Sequence, residues 1–184
     1  MLYFISDTHF KHENILRLNP LKRKKGFEVQ IIDNLKVQLK EGDTLYHLGD
    51  FAWSLDEELL DAWRSIPGKK ILVKGNHDNF FGDSDLLLYF DEVINFSTVV
   101  KIREKNVLLC HYPALDLRTF RFKELQRKVE KVFKGSGSVL LLHGHVHWNP
   151  YCVFCGCHLK GIRCFNVNVE FNGNRAVSEE ELPL

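Results

Sequence analysis

The stretch Val139-Leu140-Leu141-Leu142-His143-Gly144-His145-Val146-His147 decides how this chain is read. A short apolar run that stops at a Gly-His-x-His cluster reads as a buried strand whose end carries chemistry. Four other runs end in the same manner. Tyr3-Phe4-Ile5 leads into Asp7 and His9, and Thr44-Leu45-Tyr46 leads into Gly49-Asp50. Lys70 to Lys74 leads into Gly75-Asn76-His77-Asp78, and Val107-Leu108-Leu109 leads into His111. Repeated at five strand ends, the clusters point to one shared metal site.

Between these ends the chain alternates helical and β-rich stretches, which argues for an α/β core. Glu28 to Lys40 places Ile32, Leu35 and Leu39 on one helical face, with Gly42 at its stop. Leu55 to Ser65 is a second helix, with Leu59, Leu60 and Trp63 inward, and Arg121 to Lys134 is a third. Val93 to Phe96, Thr98 to Ile102, Val107 to Cys110 and Ile162 to Val169 read as strands, followed by a turn at Asn172-Gly173-Asn174 and a short last strand. The second half is expected to be mostly antiparallel. In open α/β sheets the crevice outside the carboxyl ends of the strands is where ligands bind, and the polar clusters fall there.

The 184 residues, 45% of them hydrophobic, suffice for one well-buried domain spanning 1–184. With 25 basic against 24 acidic residues, no bulk charge draws the chain to nucleic acid or membrane. The basic run Lys22-Arg23-Lys24-Lys25 reads as a solvated loop ahead of a helix. No apolar run approaches the roughly 20 residues of a membrane span, and nothing ahead of Asp7 resembles a secretory leader. The expected setting is cytoplasmic, with the cysteines reduced unless they bind metal.

Asp7 and His9 are two apart on an extended segment and so share a face, as do His145 and His147. Imidazoles with carboxylates and no thiolate suit Mn, Fe, Zn, Co or Ni. Asp7, His9, Asp50, Asn76, His111, His145 and His147 are more groups than one ion needs. Sharing a carboxylate between two ions resolves the surplus, and Asp50 in its tight Gly-Asp turn is the natural bridge. Two ions about 3.5–4 Å apart activate a water and clamp both oxygens of an in-line displacement at phosphorus.

The ordered set Asp7-Thr8-His9, Gly49-Asp50, Gly75-Asn76-His77-Asp78, His111 and Gly144-His145-Val146-His147 resembles the calcineurin-like metallophosphoesterases, most closely their short bacterial and phage branch. The resemblance implies a four-layer α/β/β/α sandwich of two mixed sheets. It also implies two divalent ions, one held by Asp7, His9, Asp50 and His147, the other by Asp50, Asn76, His111 and His145. His77 then faces the leaving group as general acid or charge stabiliser, and Asp78 is expected to fix its tautomer. The implied activity is attack of a metal-bridging hydroxide on a phosphate ester, with manganese among the candidate ions. A small phosphodiester or nucleotide is the first expectation and a phosphomonoester the second; a non-catalytic metal-binding scaffold on the same fold is the rival. A near-neutral surface argues against a long nucleic-acid tract as substrate.

Several residues lie outside that pattern. His12, three after His9, is read either as touching the substrate phosphate or a ligand, or as capping the helix near Glu13. Arg118 and Arg121 either grip a phosphate, which guanidinium forks suit, or sit on a solvated helix. Cys152, Cys155, Cys157 and Cys164 form a cysteine-rich segment, a candidate loop insertion over 150–165. They are read as one additional structural zinc site or as free thiols. Cys110 reads as a core residue, and His47, His143 and His158 as hydrogen-bonded structural histidines. Phe10, Trp53, Tyr112 and Trp148 are read as an aromatic rim or as ordinary packing.

Overall fold

The computed structural model describes residues 1–149 and 155–184. Strands β1 (Leu2–Ile5), β2 (Thr44–His47), β3 (Lys69–Val73), β4 (Glu92–Ile94) and β9 (Val177–Ser178) form one sheet in the order β4-β3-β2-β1-β9. Strands β5 (Ser97–Ile102), β6 (Lys105–Cys110), β7 (Leu140–His143) and β8 (Cys164–Asn166) form a second, in chain order. Helices α2 (Phe27–Gln38) and α3 (Glu57–Arg64) follow the short α1 (Ile15–Leu18), and α4 (Asp83–Leu86) and α5 (Lys123–Gly135) come later. Among the described residues no helix is long and apolar enough to cross a membrane.

Strand alternation explains the layering. Phe4, Val73, Leu109 and Leu142 point into a core between the two sheets. Their neighbours Ile5 and Leu72 face the other way, onto Ile31, Leu35 and Trp63 of α2 and α3. Leu108 and Leu141 face Val129 and Phe133 of α5. With period 2, one strand residue serves the sheet–sheet core and the next serves a helix. The result is four layers, α/β/β/α, of two mixed sheets.

The expected antiparallel second half is corrected. Among the described residues only β5–β6 and β1–β9 run antiparallel; β3–β4, β6–β7 and β7–β8 are parallel. The reason is α5, which carries the chain from the end of β6 back to the start of β7, as a crossover helix does for parallel strands. That helix begins at Lys123 rather than Arg121, because Phe122 at its start is left-handed (φ 61°). The strand read over Ile162 to Val169 shrinks to β8, since its last residues leave the ladder to bridge the other sheet. Ser6 and Asn168 pair across the sheets, with Ser6 N donating to Val167 O and Val169 N donating to Ser6 O, both at 3.2 Å. This stitch brings the end of β1 beside the end of β7.

Candidate metal centre

The polar ends of β1, β2, β3, β6 and β7 converge on one spot, held by backbone contacts between the loops. Asp7 N donates to Gly49 O at 2.9 Å, His9 N to Asp50 O at 3.1 Å, and Gly144 N to His111 O at 3.0 Å. Gly49 is required here: its φ is +85°, and a Cβ would sit 2.5 Å from Gly75 N. Four residues of the cluster are themselves left-handed without being glycine: Asp7 (φ 55°), His9 (φ 49°), Asp50 (φ 57°) and His145 (φ 64°). Each costs about 1–2 kcal/mol, and such strain persists where the surroundings over-determine it, at functional sites.

Asp50 lies at the centre. Its Oδ2 is 3.7 Å from His9 Nε2, 3.5 Å from His111 Nε2 and 3.9 Å from His77 Nε2. On one side, Asp7, His9 and His147 form a three-residue group whose donor atoms all lie within 4.8 Å of one another. There His147 Nε2 is 3.5 Å from Asp7 Oδ1 and 3.3 Å from His9 Nε2. On the other side, Asp50, His111 and His145 form an equivalent group. His111 Nε2 lies 3.2 Å from His145 Nδ1 and 3.3 Å from Asn76 Oδ1. The seven metal-ligand candidates therefore come together around one carboxylate, and His77 forms a further such group with His9 and Asp50.

Tautomers fit ions at both sets. His111 Nδ1 is 2.8 Å from Leu48 O, so it carries the proton and leaves the Nε2 lone pair facing Asp50. His147 Nδ1 is 2.9 Å from Glu170 Oε1 and leaves its Nε2 lone pair to the Asp7 side. Electrostatics agree with that donor set. Burial pushes the Asp50 carboxyl up to about 6, against the pull of His111, and a divalent cation beside it would reverse the shift. Burial and the neighbouring His111 push His145 down to about 2, so it is a neutral donor at any working pH. His9 is likewise lowered well below its usual value by burial and by His147.

Asp78 corrects an expectation. Its fully buried carboxylate does not reach His77, whose Nδ1 has no hydrogen-bond partner. It accepts instead from the backbone N–H groups of Gly75 (2.7 Å), Asp50 (2.8 Å) and Phe51 (2.9 Å). A carboxylate is needed there because three buried donors at the β2 and β3 ends would otherwise be orphaned. Asp78 thus shapes the Asp50 turn rather than the His77 ring. His77 stands at the mouth, its ring centroid 5.2 Å from that of His9.

A cavity of about 350 Å³ opens over the cluster, lined by His9, His12, His77, Arg118, His147 and Trp148 among others. His12 stacks on Trp53 with centroids 4.4 Å apart and a 13° tilt. Its carbonyl accepts from Ile15 N at 3.0 Å, but its side chain caps no helix, since Asn14 holds the N-cap position of α1. Arg118 lies before α5, not on it. Its fork grips Asp116 (Nε–Oδ1 3.0 Å, Nη2–Oδ2 2.8 Å), and Nη2 donates to His145 O at 3.2 Å. Arg121 is exposed and is not among the residues lining the cavity. Of the aromatic rim, Phe10 and Tyr112 belong to the core, while Trp53 is half exposed.

Two residues that sequence reasoning missed hold the site from behind. Arg23, expected in a solvated loop, is fully buried: Nε donates to Glu170 at 2.8 Å, and Nη1 and Nη2 to the carbonyls of Thr8 and Asp7. Glu170 also accepts from Asn19 Nδ2 at 2.7 Å and from Trp148 N at 2.9 Å. Burial resists its charge, yet the His147 hydrogen bond and Arg23 hold its carboxyl down at about 2. No motif marked either residue; Glu170 only follows the apolar Val167 and Val169.

The cysteine segment gathers elsewhere. Cys155, Cys157 and Cys164 meet His143, with donor atoms all within 4.8 Å of one another. Cys152 lies outside the described residues. His143, read from sequence as structural, is the member that reasoning overlooked.

Comparison with known proteins bears on the family of the chain. A family model described as a calcineurin-like phosphoesterase superfamily domain matches residues 1–160. The solved structure of a protein of unknown function from Aquifex aeolicus is 48% identical, with a TM-score of 0.93, covering 98% of this chain and 96% of that one. An uncharacterized protein of Methanocaldococcus jannaschii is 33% identical over 86 residues, 43% of this chain and 47% of its own length. The chain therefore matches only about half of that relative. The Gene 66 protein of Mycobacterium phage D29 is 28% identical over 161 residues, 79% of this chain and 78% of its own.

Proposed function

The chain belongs to the calcineurin-like phosphoesterase superfamily, and from that premise we propose that it is a dimetal hydrolase of a small phosphate ester, a phosphodiester or nucleotide ahead of a phosphomonoester. The observation that carries the reading is the position of Asp50 Oδ2, within 3.7 Å of an imidazole nitrogen from each set, His9 on one side and His111 on the other. One carboxylate shared by two donor sets is what a bridged pair of divalent ions needs. Such a pair, when bound, lowers the pKa of a water between the ions and neutralises charge on the phosphoryl oxygens.

The protein's own groups would do the rest. Asp7, His9 and His147 would hold one ion and Asn76, His111 and His145 the other, with Asp50 shared between them. His77, which lines the cavity and is not needed as a ligand, faces the leaving oxygen and stabilises or protonates it. Asp78, committed to backbone donors, does not orient the His77 ring, whose Nε2 lies 3.9 Å from Asp50 Oδ2. His12 and Arg118, on the cavity wall, are the groups we assign to the substrate's phosphate or its neighbour; the exposed Arg121 is left to solvent. The cavity of about 350 Å³ suits a small ester better than a polymer.

The test is hydrolysis of bis-p-nitrophenyl phosphate and p-nitrophenyl phosphate by metal-stripped protein, with Mn, Ni, Co, Zn or Mg added back. Turnover restored by a transition metal and lost in His77→Ala supports the reading, and the preferred ester fixes the class. Two bound ions with no turnover on either ester would favour the scaffold alternative.

A further inference from the structure

Outside the carboxylate–imidazole cluster, the densest group of ligating side chains lies on the far side of the same strand end. His143 closes β7, Cys155 and Cys157 lie on the following segment, and Cys164 opens β8, adjacent to β7 in the sheet. His143 and Cys157 are buried; Cys155 and Cys164 are partly so.

Three details distinguish this group from ordinary core thiols. First, His143 Nδ1 is 2.8 Å from Gly144 O and so carries the ring proton, which leaves Nε2 as a bare lone pair. That buried nitrogen has no hydrogen-bond partner, a costly state for an acceptor unless something electrophilic meets it. Second, Cys157 Sγ accepts from the backbone N–H of Ala114 at 3.3 Å, a contact that favours the thiolate over the thiol. Third, the four donor atoms all lie within 4.8 Å of one another, with Cys155 Sγ 2.8 Å from Cys164 Sγ, so small side-chain shifts bring them to the spacing of about 3.7 Å between ligands of a tetrahedral ion with bonds near 2.3 Å. A cavity of about 340 Å³ lined by His143, Cys155, Cys164 and Asn166 gives an ion a route in.

We propose that His143 Nε2 and the sulfurs of Cys155, Cys157 and Cys164 hold one zinc ion in a closed tetrahedral site. Soft thiolates with one imidazole and no carboxylate select zinc over the harder ions suited to Asp50. The site needs neither Cys152 nor the phosphoesterase reading. It ties three pieces together: the strand that continues into His145 and His147, the start of β8, and the segment after His111. That last piece is secured twice, by Ala114 N on Cys157 Sγ and by Gly156 N donating to Leu115 O at 2.8 Å. Arg118, a few residues on, reaches His145 O, so the zinc would set the wall of the catalytic cavity from outside it.

Cobalt substitution under reducing conditions tests this without any assay of turnover. Only a thiolate gives sulfur-to-cobalt charge-transfer absorption, and the Asp50 cluster has none, so the two sites are read apart. The expected result is a charge-transfer band that saturates at one equivalent and falls to baseline in Cys157→Ser. It should shift or weaken in His143→Gln and be unchanged in Cys152→Ser and in Asp50→Asn. Zinc content measured on the purified protein should fall by one ion per chain in Cys157→Ser. No thiolate band in the wild-type protein would overturn the proposal, whatever the variants do. Mapping of a Cys155–Cys164 disulfide in protein isolated with thiols blocked would overturn it too. Loss of the band in Cys152→Ser with full retention in His143→Gln would remove His143 from the site.

Discussion

His145 offers Nδ1 to the Asp50 side, whereas His143, two residues earlier on the same strand, faces three cysteines. On a regular strand residues two apart share a face. The left-handed backbone at His145 (φ 64°) breaks that rule, and one strand end thereby serves two different donor sets. The first set draws on several strand ends, is centred on a buried carboxylate, and opens onto a cavity. The second is local, rich in sulfur, and has one donor per tetrahedral position. An open set with a shared carboxylate leaves ion positions for substrate; a closed set spends every position on the protein. Damage to the first should therefore stop chemistry while sparing the fold, and damage to the second should loosen the fold first.

The largest effect that separates the two is expected at Asp50. Asp50→Asn keeps the hydrogen bond from His77 N to Oδ1 in shape but removes the charge shared by both sets. A kcat loss of about 10³-fold or more is expected, equivalent to about 4 kcal/mol in the barrier, with the melting temperature little changed. If activity persists within tenfold of wild type on the preferred ester, the shared-carboxylate account is wrong. His77→Ala should follow at about 10²–10³-fold in kcat with metal content intact, since the role proposed for it is at the leaving group and not at the ions. Metal lost along with activity, by mass spectrometry of the variant, would make His77 a ligand instead.

Glu170→Gln probes how far the open set depends on what stands behind it. The carboxylate orients His147, neutralises the buried Arg23 and holds Asn19 and Trp148 N. Substitutions of this kind cost about 10–100-fold in metal affinity. Calorimetric titration of Mn into stripped protein should show that loss for the ion assigned to Asp7, His9 and His147, with the other ion bound as before. Equal weakening of both ions would mean that Glu170 acts on the fold at large.

The convergence of the candidate ligand residues was legible in the sequence because each sits just past the end of an apolar run, although the left-handed backbone at Asp7, His9, Asp50 and His145 was not. What stands behind them was not, for a physical reason. Arg23 looks solvated because its neighbours are lysines, and only the approach of Glu170, distant in sequence, makes its burial tolerable. Asp78 was assigned to the adjacent His77 by proximity in sequence, but its partners are backbone donors, which no side-chain pattern records. His143 was set aside because it matches no ligand position of the pattern and a histidine is by default hydrogen-bonded within the structure. It is, through Nδ1, and its second nitrogen is the part that sequence cannot show. The parallel course of β6, β7 and β8 was hidden likewise, since alternation reports which face is buried but not which way the chain returns.

The smallest predicted effect concerns a histidine in neither set. His47 is fully buried against Phe51, Trp63 and Phe90, with ring centroids 5.4, 6.1 and 6.0 Å away. Thr8 Oγ1 spends its hydrogen on Phe51 O at 2.7 Å, so at the 2.9 Å contact His47 Nε2 must be the donor. Its Nδ1 then faces no partner, and a second proton there would be a buried charge without an acceptor. Burial pushes the ring down to about 3 from its ordinary 6.5. The unfolded chain therefore binds a proton that the folded chain refuses throughout that interval. Stability is fully present above pH 6.5 and drains away as the pH falls toward about 3, in the sense required when the folded pKa is the lower one. His47→Leu removes the titrating group while filling similar space. Urea unfolding at pH 7, 6 and 5 should show wild type losing about 1–2 kcal/mol more than the variant between the first and last of these. Because His47 lies outside both donor sets, the difference should persist in metal-stripped protein. Parallel pH slopes for the two proteins would mean that the folded state admits the proton, and that the packing around His47 yields more easily than its burial implies.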